Sequence, residues 1–150
     1  MRLPISVVRS GGQTGVDQVG LEVAWLERYP TGGVAPKGWR TDAGPMPELL
    51  QFYGLTESHS PLYVPRTIKN AQASDRTVWF GDPLSPGGRL TIRNARRVLL
   101  NPSAGELRAV VETTAQACSR AITLNVAGNR LRTNPFATDY AFVTLTAALR

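Results

Sequence analysis

The feature that most constrains the fold is the passage from Ile5-Ser6-Val7-Val8-Arg9 into Ser10-Gly11-Gly12-Gln13-Thr14-Gly15-Val16-Asp17. A short β-branched, apolar run that halts at paired glycines and resumes with helical period predicts strand, tight turn, helix. In that helix Val16, Val19, Gly20, Val23, Ala24 and Leu26 make an apolar face, Glu22, Glu27 and Arg28 an outer one, and Pro30 closes it. Gly11, Gly12 and Gly15 allow the backbone to approach a ligand closely, and the helix start offers unpaired N–H groups and a positive dipole end. The turn from Ser10 to Asp17, with Gln13 and Thr14 inside it, is therefore a candidate phosphate site. It is neither G-x-G-x-x-G nor a Walker motif, because Gly11 and Gly12 are adjacent and no lysine follows Gly15. Asp17, in the first helical turn, suits either the helix dipole or a ribose hydroxyl or hydrated cation such as Mg²⁺.

The remaining chain alternates in kind. Thr31–Ala35 reads as a second strand, 36–65 as a long loop rich in Pro, Gly, Ser and Thr, and Arg76–Phe80 as a third strand. A second glycine turn at Ser85-Pro86-Gly87-Gly88 leads into a short helix over Arg89–Ala95 and a strand over Val98–Asn101. Ser103-x-x-Glu106 is a capping box opening a helix over Ala104–Ala117, a fifth strand spans Ala121–Asn125, and a last helix starts near Thr138 or Asp139. This order predicts an α/β, Rossmann-like three-layer sandwich, with a mainly parallel sheet of about five strands and helices on both faces. At 150 residues it is expected to be one domain, 1–150.

Ligands of such sheets bind outside the carboxyl ends of the strands, where all the glycine clusters fall. Lys37 and Gly38 follow the second strand there, and Gly87, Gly88 and Thr91 follow the third, so both groups are further anion-binding candidates. The formal charge of +6, from 17 Lys and Arg against 11 Asp and Glu, favours an anionic partner. Arg89, Arg93, Arg96 and Arg97 crowd together, and Arg89, Arg93 and Arg97 would share one face of a helix long enough to reach them. No pattern of basic and aromatic residues points to nucleic acid, so an anionic small molecule is the more economical partner. No apolar run approaches the roughly 18 residues of a membrane helix, and the N-terminal residues carry no export signal, so a cytoplasmic location is expected. One cysteine, Cys118, excludes a disulfide within the chain and reads as a small buried hydrophobe, while the single His59 reads as a loop residue. Neither has a partner for zinc or for nucleophilic catalysis.

Several segments together resemble one family: the Ser10–Asp17 turn, Thr31-Gly32-Gly33 with Pro36-Lys37-Gly38, Arg66-Thr67-x-x-Asn70 with Ser74-Asp75, and Leu124-Asn125-Val126-Ala127-Gly128. They are similar to the molybdenum carrier family, the circularly permuted YpsA-like branch of the SLOG superfamily, whose Rossmann-like members bind nucleotides and nucleotide-derived ligands. The resemblance implies a binding protein for a phosphate-bearing nucleotide-type ligand, the molybdenum cofactor or molybdate. It also implies a homo-oligomer, and adds Arg66, Asn70 and Asn125 to the candidate ligand contacts. Pro86-Gly87-Gly88-Arg89-Leu90-Thr91 resembles the corresponding turn of the cytokinin-activating phosphoribohydrolases of that superfamily. There a catalytic glutamate follows, whereas here Ile92-Arg93-Asn94 does, so the resemblance implies binding rather than hydrolysis. The alternatives are a sensor or sequestering protein for an ADP-ribose-like signal, and a nucleotide or phosphoribosyl hydrolase. A hydrolase would have to use Asp17, Asp42, Glu57 or Asp75 in place of that glutamate.

Overall fold

The computed structural model describes residues 2–150. Its elements run β1 (Ile5–Arg9), α1 (Val16–Leu26), β2 (Thr31–Ala35), α2 (Pro47–Phe52), β3 (Leu55–Glu57), α3 (Tyr63–Gln72), β4 (Arg76–Phe80), α4 (Pro86–Asn94), β5 (Val98–Leu100), α5 (Ala104–Cys118), β6 (Ile122–Gly128) and α6 (Pro135–Leu149). The six strands form one sheet in the order β3-β2-β1-β6-β4-β5, and every neighbouring pair is parallel. This is the Rossmann-like three-layer α/β fold, with six strands rather than five.

The segment 36–65 that composition marks as a loop holds the sixth strand, β3, the helix α2 and the start of α3. The reason is proline placement. Pro47, Pro65, Pro86 and Pro135 all lie in the first turns of α2, α3, α4 and α6. There no intrahelical N–H donor is required, so the residue that reads as a breaker opens the helix instead. For the same reason α4 starts at Pro86 rather than Arg89, and α6 at Pro135 rather than near Thr138. Asn134 caps α6 by accepting from the Ala137 amide. Because α4 ends at Asn94, Arg97 is not on a helical face with Arg89 and Arg93. Cys118, at the end of α5, is exposed rather than buried.

The two faces of the sheet differ chemically. Ile5, Val8, Val78, Phe80, Leu124 and Val126 pack with α1, α5 and α6 into the main aliphatic core. A smaller cluster of Leu21, Ala35, Leu50, Tyr53 and Leu55 closes the β2–β3 edge. Strand alternation turns Thr77 and Asn125 away from the aliphatic core, toward the layer of α3 and α4. On that side, beside Trp79, several buried residues are polar: Asn70, Thr77, Thr91 and Asn125 are each 1–2% exposed. Among the described residues no helix is long and apolar enough to cross a membrane.

Candidate functional site

β1 leads outward to β2 on one side, β4 leads outward to β5 on the other, and β6 returns between them. The loops after β1 and β4 therefore part above the carboxyl end of β6, which is where open parallel sheets hold ligands. A cavity of about 530 Å³ lies there. It is lined by Gly11, Gln13 and Asp17 from the first turn and by Tyr63, Val64, Arg66, Thr67 and Asn70 from α3. Trp79 of β4, the start of α4 with Leu90 and Thr91, Asn125, Ala127 and Gly128 of β6, and the following Asn129, Arg130 and Thr133 complete it. Of the residues singled out from sequence, Gly11, Gln13, Asp17, Arg66, Asn70, Gly87, Thr91 and Asn125 line this space.

The glycine turn is shaped by its own side chains. The amides of Gly11 and Gln13 hydrogen-bond to the Asp17 carboxylate, the Gly12 amide donates to Ser10 Oγ, and the Thr14 amide donates to Gln13 Oε1. Ser10 Oγ in turn donates to the Asp17 carbonyl. Four amides of the turn thus already have acceptors within the chain. Gly15, at φ 103°, lies so close to the β6–α6 connection that a Cβ would sit 2.5 Å from the Leu131 amide nitrogen. Its role is to let that connection pass. Ser10, Gly12, Thr14, Gly15 and Gly88 thus stand behind the cavity wall.

Asp17 is 5% exposed, and its Oδ2 lies 3.7 Å from Arg66 Nη1, whose side chain is also almost fully buried. Burial pushes the Asp17 carboxyl above the usual carboxylate range, against the opposing pull of Arg66 and the turn amides. Burial likewise lowers the Arg66 guanidinium. A Cβ on Gly11 would meet Arg66 Nη1 at 2.6 Å, so the missing side chain is what lets the guanidinium lie flat against the turn.

At the cavity mouth Arg40, Arg66 and Arg130 all stand about 5 Å from the ring of Tyr63, the first residue of α3. Asp42 pairs with Arg130 at 3.1 Å and Arg132 at 3.6 Å, which ties the β2–α2 loop to the β6–α6 loop. Asn129 fastens the opposite wall. Its Oδ1 accepts from the Asp82 amide and Asn134 Nδ2, and its Nδ2 donates to Ser85 Oγ, the cap of α4. Four buried polar atoms of lining residues have no partner among the described residues: Gln13 Nε2, Arg66 Nε, Trp79 Nε1 and Asn125 Oδ1.

Other candidates stand elsewhere. Asn70 lines the cavity, but its side chain pairs with the β2 backbone, Oδ1 accepting from the Val34 amide and Nδ2 donating to its carbonyl, and Oδ1 also accepts from Arg9. Lys37 and Gly38 lie at the end of β2, outside the lining, where the Gly38 amide donates to Glu57. Asp75 stands at the opposite edge of the sheet, held by both terminal nitrogens of Arg120 and by the Thr123 amide. Tyr63, Trp79, Asn129 and Arg130 are among the lining residues that sequence reasoning did not put forward as ligand contacts. Trp79 reads as core within an apolar strand, and only the position of Asn129-Arg130 directly after the Leu124–Gly128 motif could have drawn attention to them.

Among the described residues no group of three His, Cys, Asp or Glu side chains is placed to hold a metal ion. The donor set of guanidinium, indole and amide groups fits a phosphate or oxyanion bonded to a polar ring, and does not fit a bare cation.

The Putative molybdenum carrier protein of Syntrophus aciditrophicus SB has a similar crystal structure, with a TM-score of 0.85 at 28% identity, covering all of this chain and 98% of that one. No curated protein matches. The model of the circularly permutated YpsA SLOG family matches residues 8–149, nearly the whole chain and all of the cavity's lining, and the chain belongs to that family.

Proposed function

We propose that this chain is a binding protein for an anionic small molecule, a phosphate-bearing nucleotide-type ligand or the molybdenum cofactor, held in the cavity above β6. The observation that carries this is the concentration of polar side chains on one cavity: Gln13, Arg66, Trp79 and Asn125, which line it, each carry a buried polar atom without a partner among the described residues, and Arg130 adds a second guanidinium. An unpaired buried polar group costs about 1–3 kcal/mol, and four of the seven such atoms among the described residues belong to side chains of this one lining, which marks it as the part of the fold whose polar groups are least satisfied from within. The cavity volume lies within the range of small-molecule sites. The name of the structural relative supports a molybdenum-related ligand, and its likeness extends over the whole chain.

Binding without reaction is favoured by the carboxylates. Among the described lining residues only Asp17 is acidic, and it is engaged by Arg66 and two amides. Asp42 is held in ion pairs at the mouth, Glu57 accepts from Gly38 at the end of β3, and Asp75 is at the far edge. The test is mass spectrometry of small molecules released on denaturing the purified protein, followed by incubation of any recovered nucleotide with fresh protein. The expected result is a phosphate-bearing or molybdenum-bearing compound, depleted in the Arg66→Gln variant and recovered unaltered after incubation. Release of ribose phosphate or free base, abolished in Asp17→Asn, would establish the hydrolase instead.

A further inference from the structure

The last helix, α6, is apolar on both of its faces. Its inner face, with Ala141, Leu145 and Ala148, packs into the main core. Its outer face carries Phe136 at 82% exposure and Val143 at 67%, with Tyr140 and Phe142 exposed beside them. From Pro135 to Leu149 the one charged residue is Asp139. A helix that is apolar all round belongs in an interior, yet in a single chain the outer side of α6 faces water. At 3.6 residues per turn Phe136, Asp139, Tyr140, Val143, Ala147 and Arg150 fall on one stripe, with Val143 at its middle. Tyr140 is held in place within it, by the contact of its ring with Phe80 and by its hydroxyl donating to the Pro102 carbonyl at 2.8 Å.

We infer that the outer face of α6 is the contact between two copies of this chain, their α6 helices running antiparallel about a two-fold axis at Val143. The stripe is complementary to its own reverse. Its first half is large, with Phe136 and Tyr140, and its second half is small, with Thr146 and Ala147, so reversal about Val143 sets large side chains against small ones. Reversal also brings Asp139 to within about 4–5 Å, along the helix axis, of Arg150 in the second copy. Both charges are available for this. The Asp139 carboxylate has no partner among the described residues, and the Arg150 side chain, 75% exposed, has a 3.9 Å contact with Glu27. A net charge of +6 sets two copies against each other, but this stripe, with one aspartate and one arginine, is neutral. An anionic lipid surface would put like charge beside Asp139, whereas the second copy puts Arg150 there. The pairing bears on the cavity as well. Asn129, Arg130 and Thr133, just before α6, line it, and Asn134 both caps α6 and donates to Asn129, so a braced α6 steadies that wall in each copy.

The experiment is sedimentation equilibrium of the full chain from micromolar to sub-millimolar concentration, with circular dichroism to show that each variant is folded. Twice the mass of one chain is expected at the upper end. Val143→Lys sets two like charges against each other on the axis and should raise the dissociation constant about a hundredfold or more. Trp25→Lys, a control in the exposed Trp25–Phe52 pair of α1 and α2, should leave it unchanged. Asp139→Arg and Arg150→Asp should each weaken self-association. An equimolar mixture of these two variants should associate about as well as the unsubstituted chain, because every contact across the axis again joins unlike charges. A monomer at every concentration, a dimer indifferent to Val143→Lys, or a mixture no better associated than its components would overturn the pairing. So would a monomeric chain that binds phosphatidylserine vesicles and loses them in Val143→Lys, which gives the face to lipid.

Discussion

At the scale of single residues, the centre of the site is the buried contact between Asp17 and Arg66 under the glycine turn. Burial raises the Asp17 pKa, against the opposing pull of Arg66 and the turn amides. Position 17 supplies an acceptor for the Gly11 and Gln13 amides and a partner charge for the buried Arg66 guanidinium. Asp17→Asn keeps an acceptor oxygen and removes only the charge that faces Arg66, so it should cost less than Asp17→Ala, by about 1 kcal/mol. Asp17→Ala leaves the amides and Arg66 without a partner and should cost about 2–3 kcal/mol. Urea denaturation of both variants measures the difference, and equal losses would show that charge dominates. Which residues would matter here was partly legible in the chain. Gly11, Gln13 and Asp17 lie in one contiguous motif, and motif proximity found them. That Asp17 would serve its own turn rather than a ligand depends on where its side chain points, which spacing does not tell. Asn70 is a similar case: as part of a motif it reads as a ligand contact, yet its amide completes the hydrogen bonding of Val34.

At the scale of elements, the strands and helices with their own local signals are those that periodicity finds. Ser103 and Glu106 form the reciprocal capping box that their spacing predicts, and α5 starts where they place it. β3 is three residues long with one buried side chain, too short to show alternation, and α2 has only six residues with Leu50 as its buried anchor. Their stability comes from packing Leu50 and Leu55 on Leu21 and Ala35, partners distant in sequence. At the opposite edge Asp75 joins the start of β4 to the start of β6 through Arg120 and the Thr123 amide, which holds its carboxyl down at about 2. A folded-state pKa below the unfolded value of 3.8 means that the unfolded chain binds the proton more readily. The stabilisation is then fully present above that unfolded value and is lost as pH falls toward 2. With Arg120 and Arg96 largely solvated, the effect should amount to about 1–2 kcal/mol. Asp75→Asn should remove that part of the acid sensitivity in denaturation curves and leave ligand binding unchanged. An acid slope identical to that of the unsubstituted chain would show that the pair contributes nothing.

At the scale of the molecule, one order of strands decides where function can lie. Inserting β6 between β1 and β4 brings the first glycine turn, the start of α4 and the residues after Gly128 to one crevice, although they are far apart along the chain. The alternation of strand and helix announced a parallel sheet, and hence a site at its carboxyl edge. It could not announce that α3, hidden in a proline-rich stretch, would carry Tyr63 and Arg66 across the opening. Nor could composition reveal that one sheet face is aliphatic and the other polar, because Thr77, Trp79 and Asn125 each belong to a strand that is apolar overall. A ligand that binds only the folded chain raises its melting temperature in proportion to the logarithm of its concentration over Kd. The most direct test is therefore thermal denaturation of the chain and of Arg130→Gln with saturating purine nucleoside 5′-monophosphates, a phosphorylated pterin and molybdate. A rise of a few degrees is expected with at least one ring-bearing phosphate, and a clearly smaller rise with that compound in the variant, each measured from the protein's own unliganded melting temperature because the variant also lacks the Arg130–Asp42 pair. No rise with any of these anions, or an equal rise in the variant, would contradict it.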